Sequence, residues 1–167
     1  MQTDTALDIL KNALLLERRG RAFYGKVAEQ TARPAVREFF TLMAEEEDKH
    51  IQVLSEQFRA YREKGVFAAA DHSHRASPDF ASAVLTERVK GEIAAADFEA
   101  AAIAAALSME RGAVRAYAER AEAATDPEEK SLYRWLADWE AEHLEFLAKV
   151  DRELIEEAWN DSHFWPL

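Results

Sequence analysis

The chain has 167 residues, no cysteine, 32 Asp and Glu against 21 Lys and Arg, and a formal charge of −11. This length suits one domain with a real core, the missing cysteines exclude disulfides and thiolate metal sites, and the acidic balance argues against nucleic acid as a partner. There is no run of 18 apolar residues, and Met1-Gln2-Thr3-Asp4-Thr5 leads straight into an amphipathic pattern. Neither a membrane span nor secretion is expected, and the expected location is cytoplasmic.

In chain order, Leu7, Leu10, Leu14, Glu17, Tyr24 and Val27 recur at helical steps and mark one face of a first helix. Gln30-Thr31-Ala32-Arg33-Pro34 breaks it, since proline suits a first helical turn and disfavours helix in the residue before it. Val36, Phe39, Phe40, Met43, Glu47, His50 and Leu54 then line a second helix, which Gly65 is placed to stop. The two form a first hairpin over about residues 3–62. A crossover over about 63–96 follows, with a loop at Asp71-His72-Ser73-His74 and a short helix over Phe80–Val89 opened by Ser77-Pro78-Asp79. His72 and His74 suggest an accessory metal site, although loop histidines without paired carboxylates are usually solvated. Asp97-Phe98-Glu99 opens a second hairpin over about 97–158, broken at Thr125-Asp126-Pro127-Glu128-Glu129, where Asp126 or Thr125 can cap the next helix. The aromatic tail, 159–167, is expected to pack back over the bundle or to form a contact in a homodimer. The whole chain reads as a single all-α domain.

The two hairpins are copies. Adding 93 takes Glu17, Tyr24, Glu47 and His50 to Glu110, Tyr117, Glu140 and His143, and 13–54 aligned with 106–147 gives 12 identities in 42 positions, including Pro34 with Pro127. One Glu-x-x-His is a weak signal. Two copies, each 30 residues after a lone glutamate, are a strong one. The turn lies near position 32, so Glu17 and Glu47 both stand roughly 22 Å from it, at equal height on adjacent helices. His50 shares the face of Glu47, and His143 that of Glu140. If the hairpins pack face to face, all six groups converge on one layer.

Oxygen and imidazole donors together suit iron, manganese or zinc. Four carboxylates balance two divalent ions, and without metal they would repel one another in an apolar bundle and hold raised pKa values. Tyr24 and Tyr117 lie two turns from Glu17 and Glu110 on the same face, placed to donate hydrogen bonds to the carboxylates or to relay electrons. Glu45, Glu46 and Glu142 flank the ligands and are expected on the solvated surface. The plainer reading of the six residues is a set of buried salt bridges, but few basic residues share their face.

The segments Leu16-Glu17 through Phe23-Tyr24, Ala44-Glu45-Glu46-Glu47-Asp48-Lys49-His50, Met109-Glu110 through Tyr117, and Trp139-Glu140 through His143 resemble a rubrerythrin. The resemblance covers both hairpins and implies a ferritin-like four-helix bundle, made here from duplicated helical hairpins joined by a long crossover containing a short helix. It also implies a di-iron centre of two iron ions, with zinc or manganese as substitutes. Glu47 and Glu140 would bridge the metals, Glu17 with His50 would complete one position, and Glu110 with His143 the other. Two departures stand out: the chain lacks the Cys-x-x-Cys pairs of a rubredoxin-like domain, and Ala113 stands where many members carry a further glutamate.

Three functions are compatible with these residues. The first is a di-iron oxidoreductase that reduces hydrogen peroxide or oxidises Fe(II) with oxygen, fed by a separate electron donor such as a rubredoxin-like protein. The second is iron binding and handling without turnover. The third is a helical domain held together by zinc. Vacant coordination and fast oxidation of added Fe(II) would separate the first from the others.

Overall fold

The computed structural model describes residues 5–69, 83–161, 163, 165 and 166. They form α1 (Ala6–Gln30), α2 (Pro34–Lys64), α3 (Ala83–Lys90), α4 (Phe98–Ala123) and α5 (Pro127–Asn160), with no strand among them. The chain is the expected all-α bundle of two long hairpins, and none of its described helices is long and apolar enough to cross a membrane. The loop at 71–74, the accessory site at His72 and His74, and the start of the crossover helix lie outside the described residues. The described part of that helix runs to Lys90.

Local chemistry sets the helix ends. Thr5 accepts from the Asp8 amide at the start of α1, and Asp126 accepts from the Glu128 and Glu129 amides at the start of α5. Pro34 and Pro127 occupy first turns, and Gly65 ends α2 in the left-handed conformation at φ 72°. Arg33, which precedes α2, supplies no cap of its own. Glu92 of the crossover accepts from the Ala35 amide instead, at 2.8 Å, so tertiary structure caps this helix.

The core forms two apolar clusters. One contains Tyr24, Phe39, Phe40 and Met43 from the turn end of the first hairpin, with Ile103, Leu147 and Val150 from the open end of the second. The other joins Leu10 and Leu54 from the open end of the first hairpin to Tyr117, Leu132 and Leu136 near the turn of the second. The hairpins therefore lie head to tail, with α1 antiparallel to α4 and α2 parallel to α4. A crossover spanning the bundle is needed to connect such parallel helices. Near the first turn, Thr31 donates to Glu99 at 2.7 Å and Arg33 pairs with Asp97 at 2.6 Å, fixing the start of α4 against the first hairpin.

The tail folds back on the helix it follows. Trp165 stacks on Trp159, with centroids 4.9 Å apart, and donates from Nε1 to the Ala158 carbonyl at 2.9 Å.

Candidate metal centre

Each long helix contributes to one buried layer between the two apolar clusters: Glu17 from α1, Glu47 and His50 from α2, Glu110 from α4, Glu140 and His143 from α5. All six are buried. Their donor atoms form two overlapping groups, Glu17, Glu47, His50 and Glu140 in one and Glu47, Glu110, Glu140 and His143 in the other, each with its atoms within 4.8 Å of one another. Glu47 and Glu140 belong to both groups. The two imidazoles stack across the layer with centroids 5.6 Å apart. The pseudo-twofold axis of the repeat runs between these equivalent residues.

Both histidines turn Nδ1 toward the carboxylates. His50 Nδ1 lies 2.9 Å from Glu17, 2.9 Å from Glu140 and 3.6 Å from Glu47, while His143 Nδ1 lies 3.1 Å from Glu140. Among the described ion pairs, no lysine or arginine reaches these four carboxylates. The buried ion pairs of the layer are those its own histidines make with the glutamates.

The tyrosines cross between hairpins. Tyr24 of α1 donates its hydroxyl to Glu110 of α4, and Tyr117 of α4 donates to Glu17 of α1. Seven residues separate each tyrosine from the glutamate of its own helix, and antiparallel packing matches this spacing from the opposite side. Burial and the adjoining glutamate charges hold both phenols well above their ordinary pKa, so they remain donors.

The electrostatics depart from a uniform set of raised carboxylates. Burial, with the Glu140 charge next, pushes Glu47 and Glu110 well up. Burial acts on Glu17 too, but hydrogen bonds from His50 and other neighbours bring it down to about 2. For His50, burial favours the neutral ring, yet the charge and hydrogen bond of Glu140 outweigh it and raise the pKa well above ordinary. Burial dominates at His143, lowering it to about 4. Without a metal, a proton on His50 supplies part of the positive charge that the carboxylates demand.

Glu46 is a correction. It was expected at the surface, like Glu45 and Glu142, which are indeed exposed. It is instead buried, accepts from Trp139 Nε1 at 3.1 Å and pairs with Lys49. Under the 93-residue offset Glu46 is the equivalent of Trp139, and residues close to a pseudo-twofold axis meet their own equivalents. The sequence did carry that signal: a tryptophan in one copy marks an inward position in the other.

A cavity of about 470 Å³ opens between α1 and α4 and reaches Glu47, Glu110 and Glu140. Leu15, Leu16, Met109 and Ala113 give it apolar walls, and Asn12 and Arg19 add polar groups. Gly20 also lines it. A Cβ at Gly20 would stand 2.9 Å from Glu47 Oε1, so the missing side chain makes room for that carboxylate.

A family model, Rubrerythrin, matches residues 8–151. The chain belongs to the rubrerythrin family. No curated protein and no solved structure matches it. Membership places the bundle in the ferritin-like superfamily, and this rubrerythrin-family layer has the donors for metal: four carboxylates, two imidazole Nδ1 atoms facing them, and carboxylates common to both groups. The donor set therefore fits a pair of divalent ions in charge and in chemistry.

Proposed function

We propose that the chain is a di-iron oxidoreductase that reduces hydrogen peroxide or oxidises Fe(II) with oxygen, taking electrons from a separate donor. The observation that carries this reading is the sharing of Glu47 and Glu140 between the two donor groups. Glu17 with His50 would complete one metal position, Glu110 with His143 the other, and the shared glutamates would bridge. Two iron ions held there would supply electrons and Lewis acidity to a bound oxidant.

The protein's own part is positioning and exclusion. Tyr24 and Tyr117 hold one oxygen of Glu110 and of Glu17, restricting how those carboxylates can turn. The apolar clusters on either side keep bulk water from the layer. The cleft between α1 and α4 leads to three of the carboxylates and would admit a small neutral molecule such as peroxide or oxygen. A purely structural zinc site would be closed on all sides, so the opening favours turnover over a structural role.

Anaerobic titration with Fe(II), followed by mixing with oxygen or peroxide, tests the proposal. The expected result is saturation near two iron ions per chain and rapid formation of an oxo-bridged visible absorption. Saturation near one ion, or bound iron that stays ferrous under both oxidants, would overturn it.

A further inference from the structure

The histidine side of the metal layer carries an aromatic chain that metal binding alone does not require. The Trp139 ring stands perpendicular to His50, with centroids 4.6 Å apart. Trp135 stands perpendicular to Trp139 at 4.7 Å, and 6.2 Å from His50. Trp139 is buried, whereas Trp135 is only half-buried and so in part open to solvent. The Trp139 N–H is fixed by the buried Glu46 carboxylate. Three rings in contact thus run from a proposed ligand to the surface, on the face made by α2 and α5. The cleft for small molecules lies on the opposite face, between α1 and α4.

The repeat shows what packing alone would use here. Under the 93-residue offset Trp139 corresponds to Glu46 and Trp135 to Leu42. In the first hairpin Leu42 packs against the apolar core. An aliphatic side chain satisfies the fold at that register, and only the second hairpin has the oxidisable pair. The duplicated layer is therefore asymmetric in the shell next to its ligands, with the aromatic path joined to His50.

We infer that Trp139 and Trp135 form an electron relay between the metal position at His50 and the protein surface. The inference rests on the di-iron reading above. After the site has passed electrons to peroxide or oxygen, Trp139 gives it one electron and becomes an indole radical cation. Its N–H stays bonded to Glu46, whose negative charge stabilises the new positive charge. Trp135 then gives one electron to Trp139, and a one-electron donor at the surface, of the ascorbate or reduced iron–sulfur class, gives one to Trp135. No bond breaks in this sequence and the indoles keep their protons. The donor ends oxidised by one electron and the site reduced by one. Such a surface entry suits a bulky donor, which cannot enter a cleft of about 470 Å³.

The test starves the relay of its donor. Iron-loaded protein is mixed with excess hydrogen peroxide, with and without ascorbate, and tryptophan oxidation is mapped by peptide mass spectrometry. With no donor, an oxidised indole loses a second electron and adds oxygen from water, giving hydroxytryptophan and two protons, while peroxide takes the two electrons and two protons to form water. Trp159 and Trp165 provide an internal control, because at 69% and 39% exposed they are open to any diffusing oxidant.

The expected result is iron-dependent oxidation at Trp135 ahead of Trp159, suppressed by ascorbate, and loss of the Trp135 product in Trp139→Phe. Freeze-quenched samples should show a tryptophan radical signal that disappears in the Trp135→Phe/Trp139→Phe double variant. Circular dichroism and bound-iron content serve as controls for folding. If Trp139→Phe does not fold, Trp135→Phe carries the test, and its radical signal should then be confined to Trp139. Oxidation ordered by exposure, or a Trp135 product undiminished in Trp139→Phe, overturns the relay while leaving the di-iron reading intact. Failure of the unsubstituted protein to bind iron or consume peroxide overturns both.

Discussion

Tyr24 donates its hydroxyl hydrogen bond to Glu110, 86 residues away and on the other hairpin, rather than to Glu17 on its own helix. Tyr117 returns the bond from α4 to Glu17. Each half of the duplicated layer is thus held by a phenol from the opposite half, which ties the formation of the site to the docking of the hairpins.

This crossed pair makes Tyr24→Phe and Tyr117→Phe informative. Each leaves a buried carboxylate oxygen without its donor, at a cost of about 1–3 kcal/mol to the metal-free protein. The loss should be larger for Tyr117→Phe, because its partner Glu17 is held charged whereas Glu110, the partner of Tyr24, is pushed well up. Urea unfolding of both variants checks this; a larger loss in Tyr24→Phe would contradict that asymmetry.

Gly20→Ala should separate stability from metal binding. Replacing a helix-interior glycine by alanine is worth about 1 kcal/mol in propensity. The new methyl would stand 2.9 Å from Glu47 Oε1, and the flexible carboxylate must yield. The expected outcome is an unchanged or raised melting temperature with weaker iron binding, read by calorimetric titration. Undiminished affinity would mean that Glu47 has room to spare.

For the metal-free protein, stability should pass through a maximum with pH. Glu47, Glu110 and His50 have raised folded-state pKa values, so their contribution is present at lower pH and is lost as pH rises through those values. His143 works in the opposite sense: lowered from 6.5 to about 4, it contributes above 6.5 and loses that contribution as pH falls toward 4. Glu17, lowered from 4.5 to about 2, loses its contribution as pH falls across that lower window. Thermal melts from alkaline to acidic pH should therefore rise through neutrality toward about 4.5, because the two raised carboxylates outweigh the single lowered His143. They should fall below that as His143 finishes charging and Glu17 is protonated. Iron-loaded protein should gain least over the metal-free form at acidic pH, since protons compete for the same atoms. Stability that climbs steadily into the alkaline range would contradict the raised carboxylates.

Histidine and shared-glutamate variants should differ in metal content. His50→Ala and His143→Ala each remove one donor from one group, so each is expected to retain roughly one ion per chain and to lose most turnover, because paired-metal chemistry needs both ions. Glu47→Ala and Glu140→Ala remove a donor common to both groups and should lose both ions more readily. Metal analysis alongside stopped-flow oxidation distinguishes the classes. Full rate and full content in His50→Ala, with total loss in His143→Ala, would show that the half-sites are not equivalent.

The sequence alone determined the four long helices, where they break and the duplication, while the cap at the start of α2 comes from Glu92 of the crossover. Periodicity, Pro34, Gly65, Asp126 and Pro127 act within a few residues of where they stand, so their effects are legible locally. The equal spacing of Glu17 and Glu47 about the first turn likewise set the height of the carboxylate layer, because helix rise is constant. Only tertiary structure decided which tyrosine serves which glutamate, that Glu46 is buried against Trp139, and that Glu17 is held low while Glu47 and Glu110 are pushed up. Those outcomes depend on the register between hairpins docked head to tail. Packing across the whole bundle selects that register, and charges brought together in a water-poor layer shift one another by amounts that no single helix encodes.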